Sequence, residues 1–426
     1  MKKYVIISLG CSKNLVDSEV FAHIIEQNKY HKTNNLEEAS VIIINTCGFI
    51  NDAKEESINE ILKATEFKKN GNCKKLIVTG CLVKRYFKDI EKEIPEIDHL
   101  IDLKDFDNFS KIFSETSDYQ RKLLTLPHFA YLRISDGCNN NCSYCAIPSI
   151  RGQLHSTPIE KLVNETQYLA EKGVKELIIT AQDTANYGSD IYGESKIIEL
   201  LENLHQIKGI EWIRLLYLHP AHITSELIDV ISELPKICKY FEIPIQHINN
   251  EILQSMNRKV TKKRIQEIIT EIRTKIPEAI IRTSLITGFP GETEKKIDEL
   301  KHFIQTTKFE RLGIFTYSRE EDTPAYNFPD QVSQKIAQAR KDELMTLQQN
   351  ISQNFLQSLV GKNIKVIIDR ISEIAEFRFE GRSNFDAPEI DGIIFITEGN
   401  SEVGDIVKVK IIDSWEYDLV GKIVTV

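Results

Sequence analysis

Three cysteines crowd into one short stretch, Ser135-Asp136-Gly137-Cys138-Asn139-Asn140-Asn141-Cys142-Ser143-Tyr144-Cys145. Thiolates separated by three and two residues let a single loop wrap a cubane iron–sulfur cluster, and with no fourth Cys nearby one iron keeps no protein ligand. An open coordination position is a catalytic feature. Zinc stays as the alternative, although a closed structural zinc site wants four ligands and His155, the nearest histidine, lies well downstream. Cys11, Cys47 and Cys81 share another context: each follows a β-branched run, ending at Leu9, Asn45 and Thr79. If those runs are parallel strands, the three thiols gather at one sheet edge, where open α/β sheets bind ligands. The plainer alternative is three small core residues. Cys73 and Cys238 precede their strands, which places them at the opposite rim as structural or incidental thiols.

The elements that must position these thiols follow from hydrophobic periodicity. Val5 to Leu9, Val41 to Asn45 and Leu76 to Thr79 read as buried strands, with helices over Asp17 to Gln27 and Asp52 to Lys68, so a parallel sheet with covering helices is expected. The polar stretch from Lys104 to Leu126 reads as a connector with a helical piece. Six further strands are expected at Tyr131 to Ile134, Glu176 to Thr180, Trp212 to Leu218, Tyr240 to Ile245, Ile280 to Ile286 and Leu312 to Tyr317. Helices fill the gaps, at Pro158 to Lys172, Lys196 to Gln206, Ser225 to Leu234, Lys262 to Thr274, Glu294 to Thr307 and Val332 to Leu359. Six such units make a partial (β/α)6 barrel whose chemistry sits at the C-terminal strand ends, and Cys138 follows the first of them. Ile364 to Ile368, Ile393 to Ile396, Ile406 to Ile411 and Leu419 to Val424 read as a small antiparallel β-barrel. The fold class is therefore α/β, in three domains spanning 1–122, 124–357 and 358–426.

At 426 residues, with 41% hydrophobic and 27% charged residues, the chain can bury a core and is neither disordered nor collagen-like. There are 54 Lys and Arg against 63 Asp and Glu, a net charge of −9 that suits a basic partner better than a nucleic acid. No apolar run is long enough to span a membrane, and the opening Met1 to Cys11 is too short in its apolar part for an export signal. Eight cysteines without such a signal suggest the reducing cytosol, where clustered thiols are metal ligands or catalytic groups. A cytoplasmic location is expected.

The CxxxCxxC loop, with Tyr144 just before its last Cys, resembles the radical S-adenosylmethionine superfamily. Gly10-Cys11-Ser12-Lys13-Asn14, Asn45-Thr46-Cys47-Gly48-Phe49 and Thr79-Gly80-Cys81-Leu82 resemble the methylthiotransferase family, and the final barrel resembles its TRAM domain. The stretch Ser8 to Glu19, together with Ala181-Gln182-Asp183-Thr184, Tyr217-Leu218-His219-Pro220 and Asp386 to Gly392, is similar to the branch that modifies a ribosomal protein, not the one acting on tRNA. The resemblance implies two [4Fe-4S] clusters. Cys138, Cys142 and Cys145 would hold the one that binds and cleaves S-adenosylmethionine to a 5′-deoxyadenosyl radical. Cys11, Cys47 and Cys81 would hold an auxiliary cluster delivering sulfur that a further S-adenosylmethionine methylates. The implied target is the β-carbon of an aspartate in small-subunit ribosomal protein twelve, free or in the ribosome, with an electron donor as a further partner.

Such a β-carbon has no acidic proton for general-base chemistry, so radical chemistry from cofactors fits, and no side chain is singled out as a catalytic acid or base. Gln182, Asp183 and Gln246, with His247, fall at expected strand ends and are candidates for cofactor or substrate contacts, each alternatively a helix cap or a core hydrogen bond. Gly288, in Thr287-Gly288-Phe289-Pro290-Gly291-Glu292, would allow close backbone approach to an adenosine or simply form a turn. His219 and Arg319 are weaker candidates. Residues 361–426 contain 8 Lys and Arg against 13 Asp and Glu. This domain is therefore expected to dock a basic protein, and direct nucleic-acid binding is not expected.

Overall fold

A strand of consecutive branched apolar residues has no face to offer water, so the run Val41-Ile42-Ile43-Ile44 requires helices on both sides. The computed structural model describes residues 2–113 and 120–424. The described residues within 1–125, 136–154 and 318–326 form one compact unit, and those within 126–135, 155–317 and 327–426 the other.

In the first unit Lys2–Ser8 (β1), Tyr30–Lys32 (β2), Val41–Thr46 (β3), Lys75–Gly80 (β4) and His99–Leu100 (β5) form a parallel sheet in the order β2-β1-β3-β4-β5. Ile6 pairs with Ile43 and Ile43 with Ile77, which brings the C-terminal ends of β1, β3 and β4 level. The helices are Ser12–Gln27 (α1), Asn51–Asn70 (α2), Cys81–Glu93 (α3), Phe106–Lys111 (α4) and the short Ile147–Arg151 (α5). Ile42 and Ile44 pack with Ile61 of α2 and Leu82 and Val83 of α3, while Val41 and Ile43 pack with Phe21 and Ile24 of α1 and Phe109 of α4. The covering helices thus change faces between β1 and β3, the crevice where open sheets of this order bind ligands. Residues 318–326 are held within this unit. Glu320 accepts from Lys54 and Arg85, both at 2.9 Å, and the Ala325 amide donates to the Ser143 carbonyl at 2.8 Å.

The expected strands and helices are present in this unit, with differences. Helix α1 starts at Ser12, not Asp17, because its first turns bury Lys13, Asn14, Asp17, Ser18 and Glu19 in place of apolar residues. Helix α3, not anticipated from the sequence, starts without a linker, since Gly80 at φ +102° turns the chain straight from β4. The edge strands β2 and β5 are too short for periodicity to show. Of the connector, α4 is the helical piece, and residues 114–119 lie outside the described residues.

The second unit begins with Phe129–Arg133 (β6), and two-residue strands at Ser135–Asp136 (β7) and His155–Ser156 (β8) flank the thiol loop. Glu176–Thr180 (β9) and Trp212–Leu215 (β10) join β6 in a parallel sheet ordered β10-β9-β6, and Tyr240–Glu242 (β11), Ile280–Thr287 (β12) and Arg311–Thr316 (β13) form a second, ordered β11-β12-β13. A parallel bridge between Ile213 and Ile237 and the Leu218 amide on the Glu242 carbonyl (2.9 Å) connect the two halves into a six-stranded open barrel. Around it lie Ile159–Glu171 (α6), the short Ser189–Tyr192 (α7), Ile197–His205 (α8), Ser225–Glu233 (α9), the short Asn250–Ser255 (α10), Lys262–Lys275 (α11), Glu294–Thr307 (α12) and Gln334–Gln357 (α13). Strands and helices fall within a few residues of expectation because each alternates a fully buried apolar run with an amphipathic stretch.

The last region is a closed barrel, β14-β15-β16-β18-β17, made from Asn363–Ile371 (β14), Phe379–Ser383 (β15), Ile394–Ile396 (β16), Ile406–Ser414 (β17) and Leu419–Ile423 (β18). The antiparallel expectation needs one correction: β16 and β18 run parallel. Strand β15 escaped the sequence reading because it buries charge. Glu380 and Arg382 are both buried, and Arg382 donates to Asp369 (2.7 Å) and to Glu176 of β9 (2.8 Å). Arg214 of β10 also pairs with Glu176 at 2.8 Å, both fully buried. Asp391 accepts from Tyr240 (2.7 Å) and Arg282 (3.3 Å), and Asp386 pairs with Arg311. Part of the acidic excess of residues 361–426 is thus spent inside this unit on barrel arginines.

Candidate functional site

Cys11, Cys47 and Cys81 arrive at one place because three parallel strands end level. Cys11 is the N-cap of α1, Cys47 follows β3 by one residue, and Cys81 opens α3. The approach is close. A Cβ added to Gly10 (φ +84°) would lie 2.7 Å from Cys47 Sγ, and one added to Gly48 would lie 2.7 Å from Leu82 Cα, so a side chain at either position would force the thiol loops apart. Asn14 ties the same ends together, donating to the carbonyls of Leu9 and Thr46, each at 2.9 Å, while Cys81 Sγ lies 3.5 Å from Asn14 Oδ1.

Electrostatics divide the trio. Burial pushes the Cys81 thiol up to about 12, with Cys11 and Cys47 adding to the rise and Arg151 opposing it. Burial likewise raises Cys47. Burial also works against ionisation of Cys11, yet the charges of Lys13 and Arg151 and the amides at the start of α1 hold that thiol below its ordinary range. The three thiols feel one another's charge, so ionising all of them is opposed unless a cation joins them, and a metal centre would supply that charge. Soft sulfur donors, all free of disulfides, in a glycine-lined cradle fit an iron–sulfur centre.

The second triplet lies on one loop of the same unit. Gly137 (φ +70°) sits where a Cβ would collide with the Gln153 carbonyl, and the Cys138 amide donates to the Gly152 carbonyl at 3.1 Å. Asn139 accepts from the Leu154 amide (3.0 Å), Asn140 N faces Cys138 Sγ (3.5 Å), and Asn141 adopts φ +50°. The chain therefore curls around its own sulfurs. Ala146 and Ile150 pack on Cys81. At the end of α5, Arg151 reaches Cys81 Sγ at 3.7 Å and Asp136 Oδ2 at 3.0 Å. Sequence reasoning missed Arg151, a lone arginine with no pattern to announce it. His155 is exposed, and Cys73 and Cys238 are buried within their own units.

In the second unit the other candidates do lie at C-terminal strand ends. Asp183, after β9, is buried and bonds His222 Nδ1 at 2.6 Å. Gln246 extends β11 at φ +68° and Tyr217, beyond β10, has φ +60°, so two adjacent strand ends hold residues in the left-handed region, a strain that clusters at functional sites. The space left by Gly288 (φ +80°) is taken by Ala337 of α13, and its amide donates to Glu292 Oε1 at 2.8 Å. His247 is buried with Nε2 3.6 Å from Glu292 Oε2. Asp183, His219 and His222 place donor atoms within 4.8 Å of one another. His219 Nδ1 accepts the Ala221 amide (3.2 Å), and burial drives its pKa down to about 2, which keeps the ring neutral. Arg319 is exposed, stacked 4.4 Å over Tyr326.

A partial barrel, with a three-cysteine loop after its first strand, defines a class. Residues 132–304 match the Radical SAM superfamily, residues 3–102 the uncharacterized protein family UPF0004, and residues 360–424 the TRAM domain. The radical S-adenosylmethionine methyltransferase TsrM from Kitasatospora setae shares the fold, with a TM-score of 0.57 at 12% identity over 76% of this chain and 77% of that one. The cobalamin-dependent S-adenosylmethionine radical enzyme OxsB has a TM-score of 0.51 at 9% identity, over 82% of this chain and 56% of that one. Much nearer are two proteins named ribosomal protein uS12 methylthiotransferase RimO. That of Clostridioides difficile (strain 630) is 46% identical over 99% of both chains, and that of Desulforamulus reducens 45% over 98% of both. The chain belongs to the RimO family of radical SAM methylthiotransferases.

Proposed function

We propose that this chain adds a methylthio group to the β-carbon of an aspartate in ribosomal protein uS12, using S-adenosylmethionine as radical source and methyl donor. The observation that carries this reading is full-length similarity to uS12 methylthiotransferases in a chain whose first compact unit brings together two separate cysteine triplets. Cys138, Cys142 and Cys145 hold the cluster that works with S-adenosylmethionine, and Cys11, Cys47 and Cys81 hold the auxiliary cluster. When bound, these two [4Fe-4S] centres and S-adenosylmethionine supply the one-electron cleavage, the hydrogen abstraction and the sulfur. The remaining tasks are binding, orientation and exclusion of water. Gln182, Asp183, Gln246 and Gly288, at the strand ends, take the cofactor and substrate side of that work, and the division into 1–122, 124–357 and 358–426 assigns one task to each domain.

The final barrel takes the protein partner. Asp369, Asp386 and Asp391 pair internally, but Glu373, Glu376, Asp413 and Glu416 are exposed, together with Trp415 and Tyr417. These exposed acidic and aromatic side chains, with the net negative charge of the domain, suit a basic ribosomal protein better than RNA. Among the described residues no helix is long and apolar enough to cross a membrane. The enzyme works in the cytoplasm, where the ribosome and a reductant are at hand. Mass analysis of uS12 and of tRNA nucleosides from a deletion strain tests the substrate: loss of the methylthio group from uS12 is expected, and loss from a tRNA nucleoside alone overturns it.

A further inference from the structure

Arg151 has no part in holding either triplet, yet its 1% exposed side chain occupies the ground between their loops. Nη1 donates to both oxygens of Asp136, at 3.2 and 3.0 Å. Nη2 faces Asn14 Oδ1 at 2.6 Å, Asp17 Oδ2 at 3.3 Å and Cys81 Sγ at 3.7 Å. Asp136 leads into the Cys138 loop, Asn14 and Asp17 lie on the helix that Cys11 caps, and Cys81 opens α3. Asp136 stands two residues before Cys138 and itself accepts the Gly137 amide at 3.0 Å. Asn14 holds the carbonyls of Leu9 and Thr46, just ahead of Cys11 and Cys47. One guanidinium therefore touches the radical loop, one sulfur of the trio, and the residue that gathers the other two strand ends.

Only arginine offers a planar fork with five donors, so it can bind a carboxylate, an amide oxygen and a sulfur at once; a lysine ammonium cannot span these directions. A cationic donor on a cluster-ligating thiolate stabilises the more electron-rich, reduced state and raises the potential. We propose that Arg151 is a positioning residue for the auxiliary centre: by donating to the Cys81 sulfur while clamped on Asp136, it sets that centre's potential and registers the trio against the radical loop. This rests on both triplets being cluster ligands.

The test uses the full chain with Cys138, Cys142 and Cys145 all changed to Ala, reconstituted anaerobically, so that only the auxiliary centre binds iron. A parent without iron overturns the two-centre reading and this proposal with it. In an iron-replete parent, Arg151→Met is expected to shift the midpoint potential downward and to alter the EPR spectrum of the reduced centre, with Arg151→Lys giving a smaller shift of the same sign. Parent-like potential and spectrum in both variants, at full iron content, overturn the proposal and leave Arg151 a packing residue. Should Arg151→Met lose iron because Asp17 and Asp136 lose the guanidinium charge, Arg151→Lys decides alone: a potential below the parent's supports the role, and the parent's own value refutes it.

Discussion

The two cysteine triplets reach similar ends by opposite routes. Cys138, Cys142 and Cys145 come from one loop that closes on itself through Gly137, Gly152 and Asn139. Cys11, Cys47 and Cys81 come from three strand ends 36 and 34 residues apart, and meet only when β1, β3 and β4 align. The first arrangement is local, so its spacing is visible in the sequence. The second is a property of the folded sheet, and is therefore exposed to any change that disturbs packing between helices.

The sharpest way to test this contrast is to remove one sulfur from each. Cys142→Ala is expected to reduce 5′-deoxyadenosine formation from S-adenosylmethionine to background, whereas Cys47→Ala keeps that cleavage and loses sulfur insertion; product analysis under dithionite reads both, and equal losses refute the division of labour. Next in size is a backbone substitution. Gly10→Val puts a β-branched side chain at φ +84° against Cys47, a strain on the order of 1–3 kcal/mol before any clash. It should cost the auxiliary iron, about half of the total, while leaving the loop cluster's absorbance in place. Retention of all iron would show that the trio tolerates what its geometry forbids. The smallest effect is in the metal-free protein. Cys11 lies below the ordinary thiol range, and Cys47 and Cys81 lie above it. As pH rises from 6 to 9, Cys11 forms thiolate first and should be alkylated several-fold faster than the other two, as mapped by mass spectrometry. Equal rates would contradict the electrostatic division of the trio.

What could be read in the sequence follows the same contrast. The six barrel strands and their helices were legible because each buries a continuous apolar run against an amphipathic partner, as Glu176–Thr180 and Ile159–Glu171 do. Legibility failed wherever polar groups replaced apolar ones in the interior. The start of α1 was missed because Asn14, Asp17 and Ser18 face inward to build the site. Strand β15 was missed because it buries charge, Glu380 against Arg370 of the neighbouring strand and Arg382 against Glu176, far away in sequence. Arg151 was missed for the same reason: its partners span residues 14 to 136 and no spacing rule relates them. The side of Gly288 where a Cβ would stand lies against Ala337, nearly fifty residues downstream, a packing contact that no local pattern announces.

Residues 318–326 carry a practical lesson. This segment follows the last barrel strand, yet Glu320 is locked to Lys54 and Arg85 and Ala325 to Ser143, so the first compact unit is completed only by chain synthesised long after it. A nascent polypeptide emerging from its ribosome with the first 150 residues would hold every cysteine of both triplets and still lack residues 318–326. A gene fragment ending before codon 318 should therefore yield protein whose first unit is less stable and which retains less iron on anaerobic reconstitution than the full chain.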